Sequence, residues 1–385
     1  MSSTESATRE RYAAAAHASE PALCCPVDYN PHYLEAIPTE VIERDYGCGD
    51  PSKYLQPGET VLDLGSGTGK IAFIASQVVG PAGKVIGVDM TDDMLEVARR
   101  NAPLVAGRIG FGNVEFRKGR IQDLALDLDL LEHRLKESPI RDAASYLAAA
   151  EIAADLRVRQ PLIASDSIDV VVSNCVLNLV ESRSKRQLFD DMFRVLKRGG
   201  RAVISDIVSD EEIPEHLQND SYLWSGCISG AYTEEGFLKA FADAGFYGIE
   251  ILKRDDVPWQ TVEGIEFRSV TLQAWKGKQG PCFERNQAVI YKGPFLKVLD
   301  DDGHAMERGK RYAVCDKTFH IYQRPPYRNH FNFVEPRMPI ATGQATPFDC
   351  SRTALRHPKE TKGQDYNATT EAAKCRTGGD GANCC

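Results

Sequence analysis

The sequence lacks the features of membrane and secreted proteins. Nowhere in its 385 residues does an uninterrupted apolar run approach the roughly 18 residues that a membrane-spanning helix needs. Residues 1–16 contain Ser, Thr, Glu and Arg in place of the apolar core of a signal peptide. These absences predict a cytoplasmic protein with no membrane partner.

An excess of positive charge is also missing. The chain has 46 Lys and Arg residues against 55 Asp and Glu residues, which gives a formal net charge of −9 at pH 7. Nucleic acids bind basic surfaces because their phosphate groups are negatively charged. The sequence therefore predicts no nucleic-acid partner. Its hydrophobic fraction of 42 % is that of an ordinary globular protein, and its length allows two domains.

The spacing and the number of the cysteines disfavour two kinds of cysteine site. No Cys-x-x-Cys motif occurs, which disfavours zinc ribbons and thioredoxin-like sites. The odd number of cysteines and the missing signal peptide disfavour a structural disulfide framework.

Cysteine is nevertheless the unusual residue of this composition. The eleven cysteines are Cys24, Cys25, Cys48, Cys175, Cys227, Cys282, Cys315, Cys350, Cys375, Cys384 and Cys385. A buried cysteine usually packs as a small apolar residue, and we expect this of Cys315 in the strand-like run RYAVCDKTFHIY. That expectation is poor for Cys24-Cys25 and Cys384-Cys385, which lie in polar surroundings.

The middle third of the chain alternates strand-like apolar runs with amphipathic helices, which predicts a doubly wound α/β domain with a parallel sheet. The predicted strands are residues 59–64, 84–89, 113–118, 168–173 and 201–206. A helix before the fifth strand is predicted to end at Gly199-Gly200. Residues 124–165 are acidic and rich in alanine, and we expect a helical insert there.

The composition changes at about residue 276. Short alternating runs (QAVIY, FLKVLD, RYAVC and FHIY) separated by Gly, Pro and Asp-Asp-Gly turns predict a small β-rich domain. After residue 347 the chain is polar and predicted to be a disordered tail. The expected division is an N-terminal segment (1–58), the α/β domain (59–275), the β-rich domain (276–346) and the tail (347–385).

A glycine-rich loop, DLGSGTG at 63–69, directly follows the first strand. Glycines allow a tight turn and bring backbone N–H groups close to a ligand. Because position 70 is Lys, the G-x-G-x-x-G pattern of dinucleotide-binding folds is broken; an acid followed by G-x-G-x-G is typical of class I methyltransferases. Asp89, at the end of the second strand, is placed to accept hydrogen bonds from both ribose hydroxyls. Together these features predict S-adenosylmethionine as the cofactor.

Residues after the third and fourth strands complete the predicted cofactor site. The segment GRIQD at 119–123 is expected to cover the adenine. The predicted cofactor contacts are Tyr46, Asp63, Gly65, Gly67, Gly69, Asp89, Met90, Ile121, Gln122, Asn174 and Val176.

Cys175 follows the fourth strand, in SNCVLNL at 173–179. Ligands of an open α/β sheet bind at the carboxyl ends of strands, near the point where strand order reverses, so Cys175 is expected beside the methyl donor. Methyl transfer to oxygen or nitrogen usually needs a base. No His or Lys is offered at this strand end, although Asp206 is a possible base. Thiolates bind soft centres, and As(III) on three thiolates keeps a lone pair that can attack a methyl group without losing a proton.

Four segments resemble, in order and context, the arsenite S-adenosylmethionine methyltransferases: YGCG at 46–49, DLGSGTG at 63–69, SNCV at 173–176 and LWSGC at 223–227. The similarity extends from about residue 20 to 335. The resemblance implies that Cys175 and Cys227 bind arsenic with Cys48 as the third thiolate. It also implies a disulfide between Cys48 and an N-terminal cysteine as arsenic returns to the trivalent state. Arsenite and methylarsenite would be the substrates, a thiol such as glutathione or thioredoxin the reductant, and the protein a monomer.

Two departures from the family leave questions open. The N-terminal position is a doublet, Cys24-Cys25, so either cysteine could be the redox partner. The segment 124–165 is longer than the family usually carries there. The tail pair Cys384-Cys385, which also looks like that family's, could capture arsenic or be merely exposed.

Two other functions are compatible with parts of the sequence. A methyltransferase acting on an oxygen or carbon atom of a quinone- or sterol-like lipid would keep the fold, but it would require a base or an apolar slot. A thiol-rich protein that sequesters metalloids would use the cysteines alone. The intact glycine loop argues against sequestration, because that function needs no cofactor.

Overall fold

The computed structural model of the chain describes residues 3–18, 20, 27–44 and 46–371. The chain divides into two units, Met1–Lys278 and Gln279–Cys385. None of the described helices combines the length and apolar character needed to cross a bilayer.

The first unit contains eleven helices and nine strands among its described residues. Its helices are α1 (Ser3–Ala15), α2 (Pro31–Leu34), α3 (Thr39–Glu43), α4 (Lys70–Val79), α5 (Asp92–Ile109), α6 (Leu128–Glu137), α7 (Ala143–Arg159), α8 (Ser182–Val195), α9 (Glu215–Gln218), α10 (Ser221–Ser225) and α11 (Glu234–Asp243). Its strands are β1 (Thr60–Leu64), β2 (Lys84–Asp89), β3 (Val114–Lys118), β4 (Ile168–Asn174), β5 (Leu196–Ser209), β6 (Tyr232–Thr233), β7 (Tyr247–Arg254), β8 (Gln260–Val262) and β9 (Ile265–Trp275).

The sheet has the order β3-β2-β1-β4-β5-β9-β7, with β6 on β5 and β8 on β9. Strands β1 to β5 run parallel, whereas β9 is antiparallel to both β5 and β7. The chain leaves β1 toward β2 on one side and returns to β4 on the other, so strand order reverses between β1 and β4. A crevice at such a reversal is the usual ligand position of this fold.

Helices cover both faces of the sheet because the central strands are apolar on both faces. In β1, Val61 packs in the cluster that contains α4, whereas Leu62 belongs to the cluster on the opposite face, around α8. The α4 sequence KIAFIASQVV is almost entirely buried, including Phe73, and α8 contributes Phe189. This doubly wound α/β architecture is the predicted one.

The predicted strands lie within two residues of the observed ones at most ends, but the junction of α8 and β5 differs. The helix ends at Val195 and β5 begins at Leu196, so Gly199-Gly200 lie in the strand rather than at a helix end. Gly199 N–H donates to the Lys276 carbonyl, and Lys276 N–H donates to the Gly200 carbonyl. This pairing extends β5 toward its amino end. The expected helical insert at 124–165 consists of α6 and α7.

The second unit is rich in β-structure, as predicted. Its elements are β10 (Phe283–Glu284), β11 (Ala288–Tyr291), β12 (Lys297–Leu299), β13 (Ala305–Glu307), β14 (Arg311–Ala313), α12 (Asp316–Tyr322), β15 (Phe331–Val334), β16 (Thr346–Pro347), β17 (Ala354–Leu355) and α13 (Pro358–Lys362). One sheet has the order β15-β11-β14-β17, and two separate pairs are β10-β16 and β12-β13.

One expectation for this unit was wrong, and the boundary of another differs. The run FHIY is part of α12 rather than a strand; its buried residues Phe319 and Tyr322 are three apart, which is a helical spacing. The described part of the expected tail, residues 348–371, contains ordered structure, because β17 pairs with β14 and the buried Arg356 forms ion pairs with Glu284 and Glu360. The expectations for Cys375, Cys384 and Cys385 lie outside the described residues.

Candidate active site

A cavity opens at the carboxyl ends of β1, β2 and β4, at the reversal of strand order. Its lining includes nine of the predicted cofactor contacts: Tyr46, Gly65, Gly67, Asp89, Met90, Ile121, Gln122, Asn174 and Val176. Cys175 also lines it. Most of the predicted cofactor contacts therefore line one cavity, as we expect for residues at the carboxyl ends of neighbouring strands.

Asp89 connects the glycine-rich loop to the start of α5. One carboxylate oxygen accepts the N–H of Gly67 at 2.9 Å, and the other accepts the N–H of Thr91 at 2.8 Å. Burial raises the pKa of Asp89, and these backbone donors oppose the rise by stabilising the carboxylate. The carboxylate is therefore fixed in the cavity wall, where a ribose could meet it.

Two predicted cofactor contacts, Asp63 and Gly69, are not part of the cavity lining. Asp63 is the fourth residue of β1 and is buried within the sheet. Gly69 has a φ of 96°, and a Cβ at this position would lie 2.7 Å from the ring of Phe116. Gly69 therefore permits the turn into α4 and close packing against Phe116.

Helix α1 forms one wall of the cavity through Glu5, Thr8 and Tyr12. The Glu5 carboxylate pairs with Arg120, which follows the third strand. The sequence does not point to α1 by an apolar stripe, because the residues that face the cavity are mostly polar. Their spacing of three and four residues was the signal that could have identified a helical face.

The other end of α1 is attached to α10. The Arg11 guanidinium donates to the Tyr222 carbonyl at 3.0 Å and to Ser225 Oγ at 2.9 Å, and it lies over the Tyr222 ring. Tyr46 donates its hydroxyl hydrogen bond to the Ala15 carbonyl at 3.0 Å. These contacts hold α1 against the cavity from two sides.

The chemistry of the cavity wall fits a polar cofactor. Thr8 Oγ1 is buried and has no hydrogen-bond partner among the described residues. A buried hydroxyl without a partner costs about 1–3 kcal/mol, so a ligand with polar groups would relieve an unfavourable state. The fixed Asp89 carboxylate and the backbone of the glycine-rich loop add polar groups to the same cavity lining. These are suitable partners for the hydroxyl and carboxylate groups of S-adenosylmethionine.

Asn174, at the end of β4, fastens the loop that carries Cys48. Its side-chain oxygen accepts the N–H groups of Cys48 at 2.9 Å and Gly49 at 3.0 Å, and its amide nitrogen donates to the Gly49 carbonyl at 2.8 Å. A Cβ on Gly47 would lie 2.0 Å from that nitrogen, so only glycine allows this approach. The motifs YGCG and SNCV are thus joined directly.

Asn178 fastens the loop that carries Cys227. Its amide nitrogen donates to the Cys227 carbonyl at 3.2 Å and to the Ile207 carbonyl, at the end of β5, at 2.7 Å. The Cys227 thiol in turn donates to the Cys175 carbonyl at 3.1 Å. The segment after β4 therefore holds one cysteine and binds the loops of two others.

Cys175 and Cys227 share an unusual backbone conformation. Their φ values are 62° and 63°, in the left-handed region that residues other than glycine seldom adopt. Such a conformation costs on the order of 1–3 kcal/mol and occurs preferentially at functional sites. The surrounding hydrogen bonds maintain it.

The three cysteines belong to one buried cluster, but their sulfurs are not equivalent. Cys48 and Cys175 are joined by a disulfide, with their Cα atoms 5.7 Å apart. Ligand atoms of Cys48, Cys175 and Asp206 lie within 4.8 Å of one another. The Cys227 sulfur is not in that set of three ligand atoms, and its thiol donates to the carbonyl of Cys175.

The observed disulfide differs from the one that the family resemblance implies, between Cys48 and Cys24 or Cys25. Both cysteines of that doublet lie outside the described residues. The link between Cys48 and Cys175 joins two segments that the Asn174 hydrogen bonds already hold together, the Cys48 loop and the end of β4.

Two buried charged groups lie beside the cysteines. Burial raises the pKa of Asp206 to about 6, although the N–H groups of Ile207 and Leu177 stabilise its carboxylate. Burial lowers the pKa of Lys185 to about 8, although the charges of Asp206 and Cys227 favour its protonated form. Sequence reasoning missed Lys185, because it lies in α8 and ten residues beyond Cys175.

The partly buried Tyr12 of α1 contacts the Cys227 thiol through its hydroxyl. Burial raises the pKa of Tyr12 well above its usual value, and the charge and hydrogen bond of Cys227 add to that rise. The hydroxyl therefore stays protonated and serves as a donor to sulfur. A helix that lines the cavity thus reaches the cysteine cluster as well.

This arrangement suits a soft acceptor. Both carboxylate oxygens of Asp206 accept backbone N–H groups, at 2.9 Å from Leu177 and 2.8 Å from Ile207, and each oxygen keeps a second lone pair, so Asp206 remains a possible base. Three thiols, once reduced, would offer sulfur ligands next to the cavity.

Comparison with known proteins gives the following similarities. Residues 55–245 match a family described as a methyltransferase domain, and residues 278–366 match a domain of unknown function. The chain is 32 % identical to the arsenite methyltransferase of Aquipseudomonas alcaligenes, over 81 % of this chain and 84 % of that protein. It is 28 % identical to the arsenite methyltransferase of Mus musculus, over 81 % of this chain and 77 % of that protein.

A solved structure is also similar. The X-ray structure of an arsenic(III) S-adenosylmethionine methyltransferase from Chlamydomonas reinhardtii has a TM-score of 0.53 and is 27 % identical in sequence. The match covers 86 % of this chain and 100 % of that chain.

Proposed function

Because this chain belongs to the arsenite methyltransferase family, a family of S-adenosylmethionine-dependent enzymes, we propose that it methylates arsenite and then methylarsenite. The observation that carries this proposal is the convergence of Cys48, Cys175 and Cys227 beside the cofactor cavity.

Reduced Cys48, Cys175 and Cys227 are the proposed arsenic ligands. Thiolates bind soft centres strongly, and three of them give As(III) a pyramidal geometry with one exposed lone pair. Cys227 must turn its sulfur away from the Cys175 carbonyl to join the other two. Lys185 and Tyr12 favour the thiolate at Cys227 through charge and hydrogen bonding.

The bound cofactor supplies an electrophilic methyl group on a positively charged sulfur. Asp89 and the glycine-rich loop would hold the cofactor, and the three cysteines would hold arsenic beside it. Orientation at about 3–3.5 Å between reacting atoms accounts for most of the expected rate enhancement. No proton has to leave the acceptor, so the site needs no general base.

A disulfide cycle would restore the trivalent state. Attack by the lone pair forms an As–C bond, breaks the S–C bond of the cofactor and raises arsenic formally from the trivalent to the pentavalent state. Two thiolates can return the two electrons and become a disulfide, which a thiol such as glutathione or thioredoxin then reduces. The link between Cys48 and Cys175 supports the view that these cysteines can form such a bond; the doublet Cys24-Cys25 is the other proposed partner.

The proposal predicts that S-adenosylhomocysteine is released from the reduced enzyme only when arsenite is present. Release that requires a quinone- or sterol-like acceptor instead would indicate the alternative methyltransferase. Arsenite binding with no release at all would indicate sequestration. Either of these two results would overturn the proposal.

A further inference from the structure

A second group of cysteines lies within the second unit, away from the sequence motifs discussed above. Cys282 immediately precedes β10 and Cys350 follows β16. The antiparallel pairing of Phe283 with Pro347 places the two cysteines at the same end of this strand pair. Cys315 lies at the amino end of α12, where it caps the helix. The fold therefore assembles three cysteines that are far apart in the sequence.

The three sulfurs are close enough to share one ligand. Their Sγ atoms lie within 4.8 Å of one another. Three sulfurs that each lie about 2.3 Å from one soft centre are at most about 4 Å apart, and closer together when the centre is pyramidal. The side chains would therefore have to rotate to bring the sulfurs closer together when they bind. Cys315 is fully buried, whereas Cys282 and Cys350 are partly exposed, so a ligand could reach the cluster from the side of Cys282 and Cys350.

The backbone orients one of the three sulfurs. Thr318 N–H donates to the Cys315 sulfur at 3.4 Å, at the amino end of α12.

The number of ligands favours a three-coordinate centre. Structural zinc is almost always held by four ligands. The neighbouring imidazole, His304, uses Nδ1 with Asp300 and Nε2 with the Cys350 carbonyl, each at 2.8 Å. In the described part of the chain this cluster therefore offers three sulfurs and no obvious fourth ligand. Three thiolates match the three-coordinate, pyramidal geometry of As(III), and sulfur suits a soft centre.

We propose that Cys282, Cys315 and Cys350 form a second site for trivalent arsenic. Binding of arsenous acid breaks three As–OH bonds and forms three As–S bonds, and the three thiol protons leave with the hydroxides as three water molecules. Arsenic stays trivalent throughout, so no oxidant or reductant is needed. The choice of arsenic as the ligand rests on the proposed function, whereas the cluster itself does not.

The site would select the unmethylated substrate. Arsenite has three exchangeable oxygens and can bind all three sulfurs, but methylarsenite has two and would leave one sulfur unbound. The second unit would therefore retain arsenite in preference to the methylated product. The second unit would then bind the substrate of the reaction and release its methylated product.

Arsenite stoichiometry tests the site on the full chain, reduced with a phosphine so that no competing thiol is present. Equilibrium dialysis with arsenic quantification compares the wild type with three triple variants: C282S/C315S/C350S, C48S/C175S/C227S and, as the matched control, C375S/C384S/C385S. We expect C282S/C315S/C350S to lose one arsenic per chain relative to the wild type. The variant C48S/C175S/C227S should keep that arsenic while losing methyl transfer.

Two further measurements keep the test decisive. Arsenic X-ray absorption on a variant that combines the C48S/C175S/C227S and C375S/C384S/C385S substitutions should give three sulfur neighbours. If the triple variant at the second site unfolds, the single change Cys350→Ser at a partly exposed position should lower arsenite affinity at least tenfold and leave methylarsenite binding nearly unchanged. Unchanged stoichiometry, or binding of zinc without arsenite, would overturn the proposal. Failure of the proposed function would appear differently, as absent methylation with this binding intact.

Discussion

Asn174 and Asn178 show how single side chains determine the geometry of this site. Asn174 ends β4 and Asn178 lies four residues later, and each side-chain amide binds the backbone of a loop that carries a cysteine. The sequence made SNCVLNL conspicuous, but it could not predict these partners. Cys48 is 126 residues from Asn174, and no periodic pattern in the sequence predicts a contact between the end of a strand and so distant a loop. Contacts of this kind follow only from the complete fold.

Replacing the cysteines should separate their roles. Cys175→Ser and Cys227→Ser are expected to abolish methylation of both arsenite and methylarsenite, because both substrates need this ligand pair. Cys48→Ser should reduce the arsenite rate more than the methylarsenite rate, because methylarsenite has only two exchangeable positions. Turnover of each substrate by reduced enzyme measures the effect, with Cys375→Ser as the control. Equal losses for both substrates in Cys48→Ser would refute its assignment as third ligand.

Asp89→Ala should weaken cofactor affinity. A hydrogen bond to a charged group contributes about 1.5–3 kcal/mol, which corresponds to roughly a 10- to 100-fold loss. Calorimetric titration with S-adenosylhomocysteine measures it, and Glu96→Ala, on the exposed side of α5, is the matched control. Arsenite binding should stay the same. Unaltered cofactor affinity would show that the carboxylate makes no ribose contact.

Tyr12→Phe should slow reactions of the Cys227 sulfur, because the variant removes a hydrogen-bond donor to its thiolate. A donor to a charged group worth about 1.5 kcal/mol corresponds to roughly a tenfold change. The rate of alkylation of Cys227, followed by mass spectrometry in reduced protein, provides the measurement. Tyr146→Phe, at an exposed position of α7, is the control. An identical rate in Tyr12→Phe would remove Tyr12 from the site.

Among the elements, the strands were the most predictable and α1 the least. Strand-like runs identified β1 to β5, and the run of β4 is nearly continuously apolar because that strand is buried on both faces. The inward face of α1 is instead formed by polar groups directed at the cavity, so its apolar pattern is weak. The α12 helix was misread as a strand because a short apolar run fits either structure until its neighbours are known. The junction of α8 and β5 depends on pairing with Lys276, which no local pattern indicates.

Deleting residues 1–18 should therefore affect cofactor binding more than folding. The deletion removes the Glu5, Thr8 and Tyr12 wall and leaves the sheet intact. We expect cofactor affinity to fall at least tenfold, while far-ultraviolet circular dichroism keeps the mixed helix and strand signal. The point variant Glu10→Ala, exposed on α1, should bind the cofactor like the wild type. Wild-type affinity after the deletion would mean that α1 does not close the site.

At the scale of the whole molecule, the chain combines a methyltransferase unit with a second unit whose family has no known function. The composition changes near residue 276, and the chain divides into two units after Lys278. The composition could not predict that this second unit brings Cys282, Cys315 and Cys350 together, because β10 and β16 are only two residues long and are paired by tertiary contacts. Each unit thus contains its own group of three cysteines.

The most direct test of the central claim follows the methyl group itself. Reduced enzyme is incubated with arsenite and S-adenosylmethionine that carries an isotopic label in its methyl group, and the arsenic species are separated and analysed. The account predicts that the label appears in methylated arsenic, with one S-adenosylhomocysteine formed for each methyl group transferred. Label that remains entirely in the cofactor, or that passes only to an organic acceptor, would contradict it.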